Sequence, residues 1–360
     1  MIKRDSDPEH EATNETGKSE MTVYIGSEYG RLKEVIVGEA SGFNPSLQAA
    51  WLREALTVLP EAEQKMTIQN AGKSWDACIV DSERGLTEAD LIRAENDELV
   101  NILESLGVKV YRPAVLSEED VKTRFGSEAL INGYSQDFPR DNLIIIGNHV
   151  IEANLRTPLR RVDIEGFRTL LLEKCNAPTV KWVAMPHMPL LGDYDDDTPL
   201  LEGGDVIVLG KTILVGNSEN TAVGSNEVGY KWLKNYLGCD YEVIRVPLSK
   251  TVLHLDCALS VPRKGLAILC PEAFIEGIPE ALKDWDLTEV GIEKLKYLVV
   301  NGLPIDERTY LMGFNQHEDN LEIKEALEKR GITVYPIFFG AHNAQGGSLR
   351  CATQGLLRQD

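Results

Sequence analysis

Four short segments hold residue types whose chemistry exceeds what a turn requires: DFPRDN at 137–142, LLEGGD at 200–205, VLHLDCA at 252–258 and AQGGSLRCAT at 344–353. The last carries Cys351 just beyond two glycines, which let a backbone approach a ligand closely, so its thiol is a candidate nucleophile. An inert buried thiol fits the same residues. His254 and Asp256 lie two apart. In a strand that spacing puts imidazole and carboxylate on one face, with Leu253, Leu255 and Cys257 on the other. A half-exposed surface strand gives the same pattern and is the more frequent explanation for a single such pair. Glu202, on a Gly-Gly turn at a strand edge, is placed to orient a histidine, bind a cation or face solvent. Asp141 is open in the same way. Of the remaining histidines His10 lies in the tail, and His149, His187, His317 and His342 have no comparable carboxylate partner within an apolar strand.

Other motifs fail on inspection. LEGGDVIVLGKTILVG has a glycine ahead of Gly210-Lys211-Thr212, but the intervening Asp205-Val206-Ile207-Val208-Leu209 is one residue too long for a phosphate loop and reads as a buried strand. The acidic run DYDDD at 193–197 has Thr198 where a calcium loop needs glycine, and reads as a solvated loop. Six scattered cysteines without a CxxC pair suit reduced thiols in a cytoplasm and speak against structural zinc. A formal net charge of −20 repels nucleic acid and anionic membranes and suits a cationic small substrate. Residues 1–21 lack the apolar core of a secretion signal and read as a disordered polar tail, and no apolar run reaches the length of a membrane span.

The elements that must position these segments repeat along the chain. ADLIRAENDELVNILESLG followed by VKVYRPA is echoed by NLEIKEALEKRG followed by ITVYPIFF, and more loosely by YKWLKNYLGCDYEVIRVPL and FRTLLLEKCNAPTVKWVAMP. These are four helix, strand, proline units. Short apolar strands also recur: LKEVIVG, DNLIIIG, DVIVLG with TILVG, GLAILC and RTYLMG. A mixed α/β fold of repeated modules follows, radial or in series, with an ordinary open sheet as the alternative. The stretch from about 44 to 130 reads as a helical insertion into the first module.

In their order along the chain, FPRDNLIIIGNHVIEA, LEGGD, HLD and GGSLRCAT resemble the signature segments of the amidinotransferase and arginine deiminase superfamily, the guanidine-modifying enzymes. The resemblance runs from about residue 22 to the end. It implies a five-module, pentein-type α/β-propeller around one active site, as a single catalytic domain over 22–360. It further implies Cys351 as nucleophile, His254 as general acid/base, Glu202 as the carboxylate orienting it, and Asp141 and Asp256 as the pair gripping a guanidinium. Arg140 and Arg350 are implied in substrate binding, with Arg156, Arg160 and Arg161 as further candidates for a substrate carboxylate. Neither metal nor organic cofactor is expected.

PRDNLIIIGNHVIEA and VGYKWLKNYLG resemble the amidinotransferase branch, which moves the amidino group of arginine to an acceptor amine. Two positions depart from it. Arg350 stands where that branch usually has histidine, as in the deiminases, and NLRTPLRR stands where it usually carries a tryptophan. The expected partners are arginine and an acceptor amine, with neither nucleic acid nor membrane, and self-association into a homo-oligomer is left open. The alternative is an arginine deiminase or substituted-arginine hydrolase of the same fold. A pocket that only binds a cationic amino acid would need the carboxylates but not the thiol.

Overall fold

Runs such as Leu143–Ile146 and Leu266–Leu269 are apolar at every position and buried at every position, as strands covered on both faces must be. Strands Glu242–Leu248 and Thr333–Phe338 instead mix buried with exposed and half-buried residues, as befits the edge of a sheet. The computed structural model describes residues 22–56, 61–186 and 197–359. The tail 1–21 and all of the acidic run but Asp197 lie outside the described residues.

Among the described residues the strands form five three-stranded sheets and two small two-stranded ones. Each three-stranded sheet has one plan: an antiparallel pair, then a crossover to a third strand parallel to the second. The plan is seen in Leu143–Ile146, His149–Glu152 and Lys181–Ala184, and in Val206–Leu209, Thr212–Ser218 and Glu242–Leu248. It recurs in Leu259–Arg263, Leu266–Leu269 and Asp286–Glu289, and in Leu303–Asp306, Thr309–Phe314 and Thr333–Phe338. The remaining sheet joins the two ends of the chain: Thr353–Gln359 pairs antiparallel with Arg31–Val37, which runs parallel to Lys109–Tyr111. Gly210-Lys211 proves to be the turn between two antiparallel strands.

Four crossovers carry the helices of the repeated units: Glu88–Ser105, Arg168–Lys174, Glu227–Leu237 and Leu321–Glu328. The fifth, from Leu269 to Asp286, has only the short turns Pro271–Ala273 and Glu280–Leu282. Helix Glu88–Ser105 starts at a capping box, in which the Thr87 hydroxyl accepts the Asp90 N–H at 3.2 Å and the Asp90 carboxylate accepts the Thr87 N–H at 3.0 Å. Its buried face runs Ile92, Glu95, Asn96, Leu99, Leu103, a helical stripe with two polar members. Leu99 and Leu103 join Val35, Val37, Leu311, Ile337 and Leu349 in an apolar cluster that also contains Cys351. Each such buried leucine contributes about 1.5–3 kcal/mol. No described helix is long and apolar enough to cross a membrane.

Candidate active site

The repeated plan places the expected residues at one structural position. Asp141 lies in the turn Pro139–Asn142 just before the first strand of its sheet, and Glu202 to Asp205 just before Val206. His254 to Asp256 precede Leu259, and Cys351 precedes Thr353. The fifth equivalent position, before Leu303, holds Asn301, which had no motif to mark it.

His254 is buried between carboxylates. Its Nε2 lies 2.6 Å from Glu202 Oε2, and its Nδ1 lies 3.7 Å from Asp141 Oδ1. Burial by itself would lower the imidazole pKa, but Asp141, Asp205 and Glu202 together raise it well above the usual value. The expectation of a strand through His254 and Asp256 is corrected here: His254 is extended, but Leu255–Cys257 form a single tight turn. The cause is local. The Leu255 N–H is drawn to Asp205 Oδ1 at 3.0 Å, out of reach of any ladder.

Glu202 is fixed from both ends, by its N–H donating to Ser225 Oγ at 2.9 Å and by Oε1 accepting the Arg156 N–H at 2.7 Å. The Gly-Gly turn beside it is demanded by close approach. A methyl on Gly204 would sit 2.6 Å from His254 Nδ1 and 2.8 Å from Asp141 Oδ1, and one on Gly203 would meet the Arg140 carbonyl at 1.9 Å. Asp141 accepts the Gly204 N–H at 3.0 Å and Arg160 Nη1 at 2.6 Å. Against its burial, the charges of His254 and Arg160 hold its carboxyl below the usual range.

Cys351 is buried, with Sγ 3.7 Å from Asp256 Oδ2 and its N–H donating to Asn301 Oδ1 at 3.1 Å. The Asn301 amide also donates to the Asp256 carbonyl at 3.1 Å, so Asn301 ties the two segments together. Burial foremost, then the charges of Asp256 and Asp141, push the thiol well above its ordinary pKa, opposed by the Ser348 N–H and Arg350. Cys351 and His254 share no hydrogen bond, but both lie within the field of Asp141.

Arg350 does not present its guanidinium to an opening. It is fully buried, donating from Nε and Nη2 to Glu28 at 3.1 and 3.0 Å, from Nη1 to Asp256 Oδ2 at 2.8 Å, and from Nη2 to the Val206 carbonyl at 2.8 Å. Two carboxylates make this the stable place for the cation. Arg156 donates to the Thr221 and Gly224 carbonyls and Arg161 to the Arg156 carbonyl. Arg140 is also buried. Its Nε donates to the Arg350 carbonyl at 3.3 Å, and no described carboxylate pairs with its guanidinium. Burial, then the neighbouring Arg350 charge, lower its pKa to about 9.

Asp205 and Glu28 were not singled out in the sequence. Asp205 accepts the Ser225 N–H at 2.8 Å as well as that of Leu255, and burial, opposed by His254, raises its carboxyl to about 7. Among the described residues, no group of three or more His, Cys, Asp or Glu side chains is arranged to hold a metal ion.

Residues 69–358 match a protein-family model described as N,N dimethylarginine dimethylhydrolase, eukaryotic. The chain is 28% identical to the L-arginine:L-lysine amidinotransferase of Pseudomonas savastanoi pv. phaseolicola, over 92% of this chain and 93% of that one. Among solved structures, an inosamine-phosphate amidinotransferase from Streptomyces griseus superposes with a TM-score of 0.74 at 21% identity, covering 94% of this chain and 97% of the other. An amidinotransferase of saxitoxin biosynthesis from Microseira wollei gives 0.71 at 23%, covering 94% and 98%. The chain therefore belongs to the superfamily of that model, the pentein-type guanidine-modifying enzymes. An inosamine-phosphate amidinotransferase of Streptomyces glaucescens is a further relative, 24% identical over 93% of this chain and 97% of that one.

Proposed function

We propose that the protein transfers the amidino group of arginine to an acceptor amine through a covalent intermediate on Cys351. The observation that carries this reading is the convergence of a thiol, a histidine held by Glu202, and the carboxylates of Asp141 and Asp256 at equivalent positions of the repeated sheets. The amidinotransferase relatives support the transfer step.

A guanidinium is planar, permanently charged and rich in N–H donors, so Asp141 and Asp256 hold it by charge-assisted hydrogen bonds. Burial and the carboxylate charges together keep Cys351 protonated; the arriving cation offsets those charges, which favours loss of the thiol proton to solvent and leaves the thiolate. The thiolate adds to the central guanidinium carbon. The bond from that carbon to the ornithine nitrogen then breaks as His254 gives its proton to the departing amine, leaving an amidino group on sulfur. His254, now neutral, takes a proton from the incoming acceptor amine. The amine attacks the same carbon and the thiolate departs.

The matching sheet plans, and the joining of the chain's two ends in one sheet, support reading the domain over 22–360 as a five-module propeller around this site. The reduced, scattered cysteines support a cytoplasmic setting. The second reading is a hydrolase, favoured by the description of the matching family model and by Arg350 before Cys351. The test is to incubate the protein with arginine, with and without a panel of primary amines, and to identify products by mass. Transfer yields ornithine and a guanidino product, continuously only when an amine is present. Continuous citrulline and ammonia from arginine alone contradict it.

A further inference from the structure

The helix Glu88–Ser105 buries a carboxylate where its apolar stripe calls for a hydrophobic side chain. Glu95, 7% exposed, lies between Ile92 and Leu99 on the inward face. Burying a lone carboxylate costs several kcal/mol unless it is well paired, and Glu95 is paired three times with one short segment. Its Oε1 accepts the Ala341 N–H at 2.7 Å, and its Oε2 accepts the His342 N–H at 3.1 Å and His342 Nδ1–H at 2.7 Å. Glu88, one end of the same helix, accepts a hydrogen bond from the Gln345 amide.

That segment leads directly to the thiol. Helix Gly340–Ala344 is followed by Gln345, the two glycines, Ser348, Leu349, Arg350 and Cys351. The Gly347 N–H donates to the His342 carbonyl at 3.2 Å, and the Asn343 amide donates to the Gly347 carbonyl at 2.9 Å. The ring of His342, fully buried, stacks on Phe339 at 4.0 Å and meets Phe138 edge-on at 6.0 Å. Phe138 opens the Phe138-Pro139-Arg140-Asp141 turn and lies so close to Gly347 that a methyl there would come within 2.3 Å of the ring. The nucleophile loop and the Asp141 turn therefore rest on the same imidazole.

We propose that Glu95 and His342 are positioning residues for Cys351: the crossover helix Glu88–Ser105 holds the nucleophile loop by this buried carboxylate–imidazole contact. The inference rests on the reading of Cys351 as the nucleophile. It accounts for histidine at 342, whose Nδ1 is committed to Glu95 while Nε2 has no partner among the described residues. Only the Nδ1 side is used, so asparagine, with an amide N–H near that place, is the conservative replacement.

The experiment compares Glu95→Gln, His342→Leu and His342→Asn in the full chain. It measures melting temperature, arginine Kd by calorimetry, kcat, and the rate of iodoacetamide modification at Cys351 followed by peptide mapping. The expected result is that Glu95→Gln and His342→Leu, still folded, lower kcat and Cys351 modification by about tenfold or more while arginine Kd changes by less than about threefold, and that His342→Asn restores most of both. Unchanged modification and kcat in folded variants would overturn the proposal, as would arginine affinity and kcat falling in parallel with no recovery by asparagine. Modification reports the thiol itself, so the inference is read independently of turnover, whereas full activity in Cys351→Ala would remove the nucleophile reading instead.

Discussion

Cys351 lies in surroundings that oppose its ionisation, among apolar side chains and beside Asp256, whose charge would also attract a substrate cation. One residue thus pushes in two directions, and its removal separates them. Asp256→Asn is expected to move the pH midpoint of Cys351 modification downward, because a charge that raises the thiol's pKa is lost. The same change should lower kcat/KM for arginine by orders of magnitude, since breaking a desolvated charge pair costs about 2–5 kcal/mol. A downward midpoint with unchanged kcat/KM would place Asp256 beside the thiol but outside the substrate's reach. His254 supplies a second prediction at this scale. Its pKa is raised in the fold, so the stability it contributes is present below its ordinary value of 6.5 and is lost as pH rises through the raised one. Activity that needs the imidazolium should fail on the same alkaline limb. Glu202→Gln removes a charge that raises this pKa and should shift the alkaline limb of kcat toward neutral pH. An unmoved limb would dissociate Glu202 from the titration.

Turns before the first strands, rather than the strands themselves, carry the site, and their precision comes from backbone contact. Gly204→Ala is expected to lower kcat by about tenfold or more while costing about 1–3 kcal/mol of stability, because the methyl must displace His254 or Asp141. Steady-state kinetics beside a denaturant melt checks it, and unaltered kcat would mean that the turn yields without disturbing either side chain. These turns also show what was legible in the sequence. Cys351, His254, Glu202, Asp141 and Asp256 stood out because each is a reactive type in a short segment rich in glycine or beside an apolar strand. Four of the helix units were visible as well, because their apolar spacing is that of a helix packed on one face. The fifth crossover has no such period, being made of short turns, and its unit was seen only through its strand GLAILC. Asn301 is neutral and sits in the plain run VVNGL, so only its structural equivalence to the other four positions marks it. The spacing of His254 and Asp256 suggested a strand because the pull of Asp205 on the Leu255 N–H comes from a segment fifty residues away. Likewise His342 lacked a local carboxylate because its partner, Glu95, is 247 residues distant.

Across the whole molecule, the first described segment and the turn that carries Cys351 meet through Glu28 and Arg350. Burial would raise the Glu28 carboxyl, but Arg350 and then Arg140 lower it to about 2, from an ordinary value of 4.5. Stability from this depression is present above the ordinary value and lost as pH falls through about 2. Glu28→Gln should therefore cost on the order of 3 kcal/mol near neutral pH, with the difference from the parent narrowing toward pH 2. Denaturant melts across that range check it, and a pH-independent difference would rule out charge pairing as the cause. The central claim, amidino transfer through Cys351, is tested most directly by trapping the intermediate. The enzyme is mixed with arginine, freed rapidly of small molecules, and divided between buffer and an acceptor amine before intact-mass analysis and peptide mapping. The account predicts an amidino adduct on Cys351, formed with release of ornithine, that persists in buffer and is discharged by the amine to a guanidino product. No adduct on Cys351, or ammonia and citrulline accumulating in buffer alone, would contradict it.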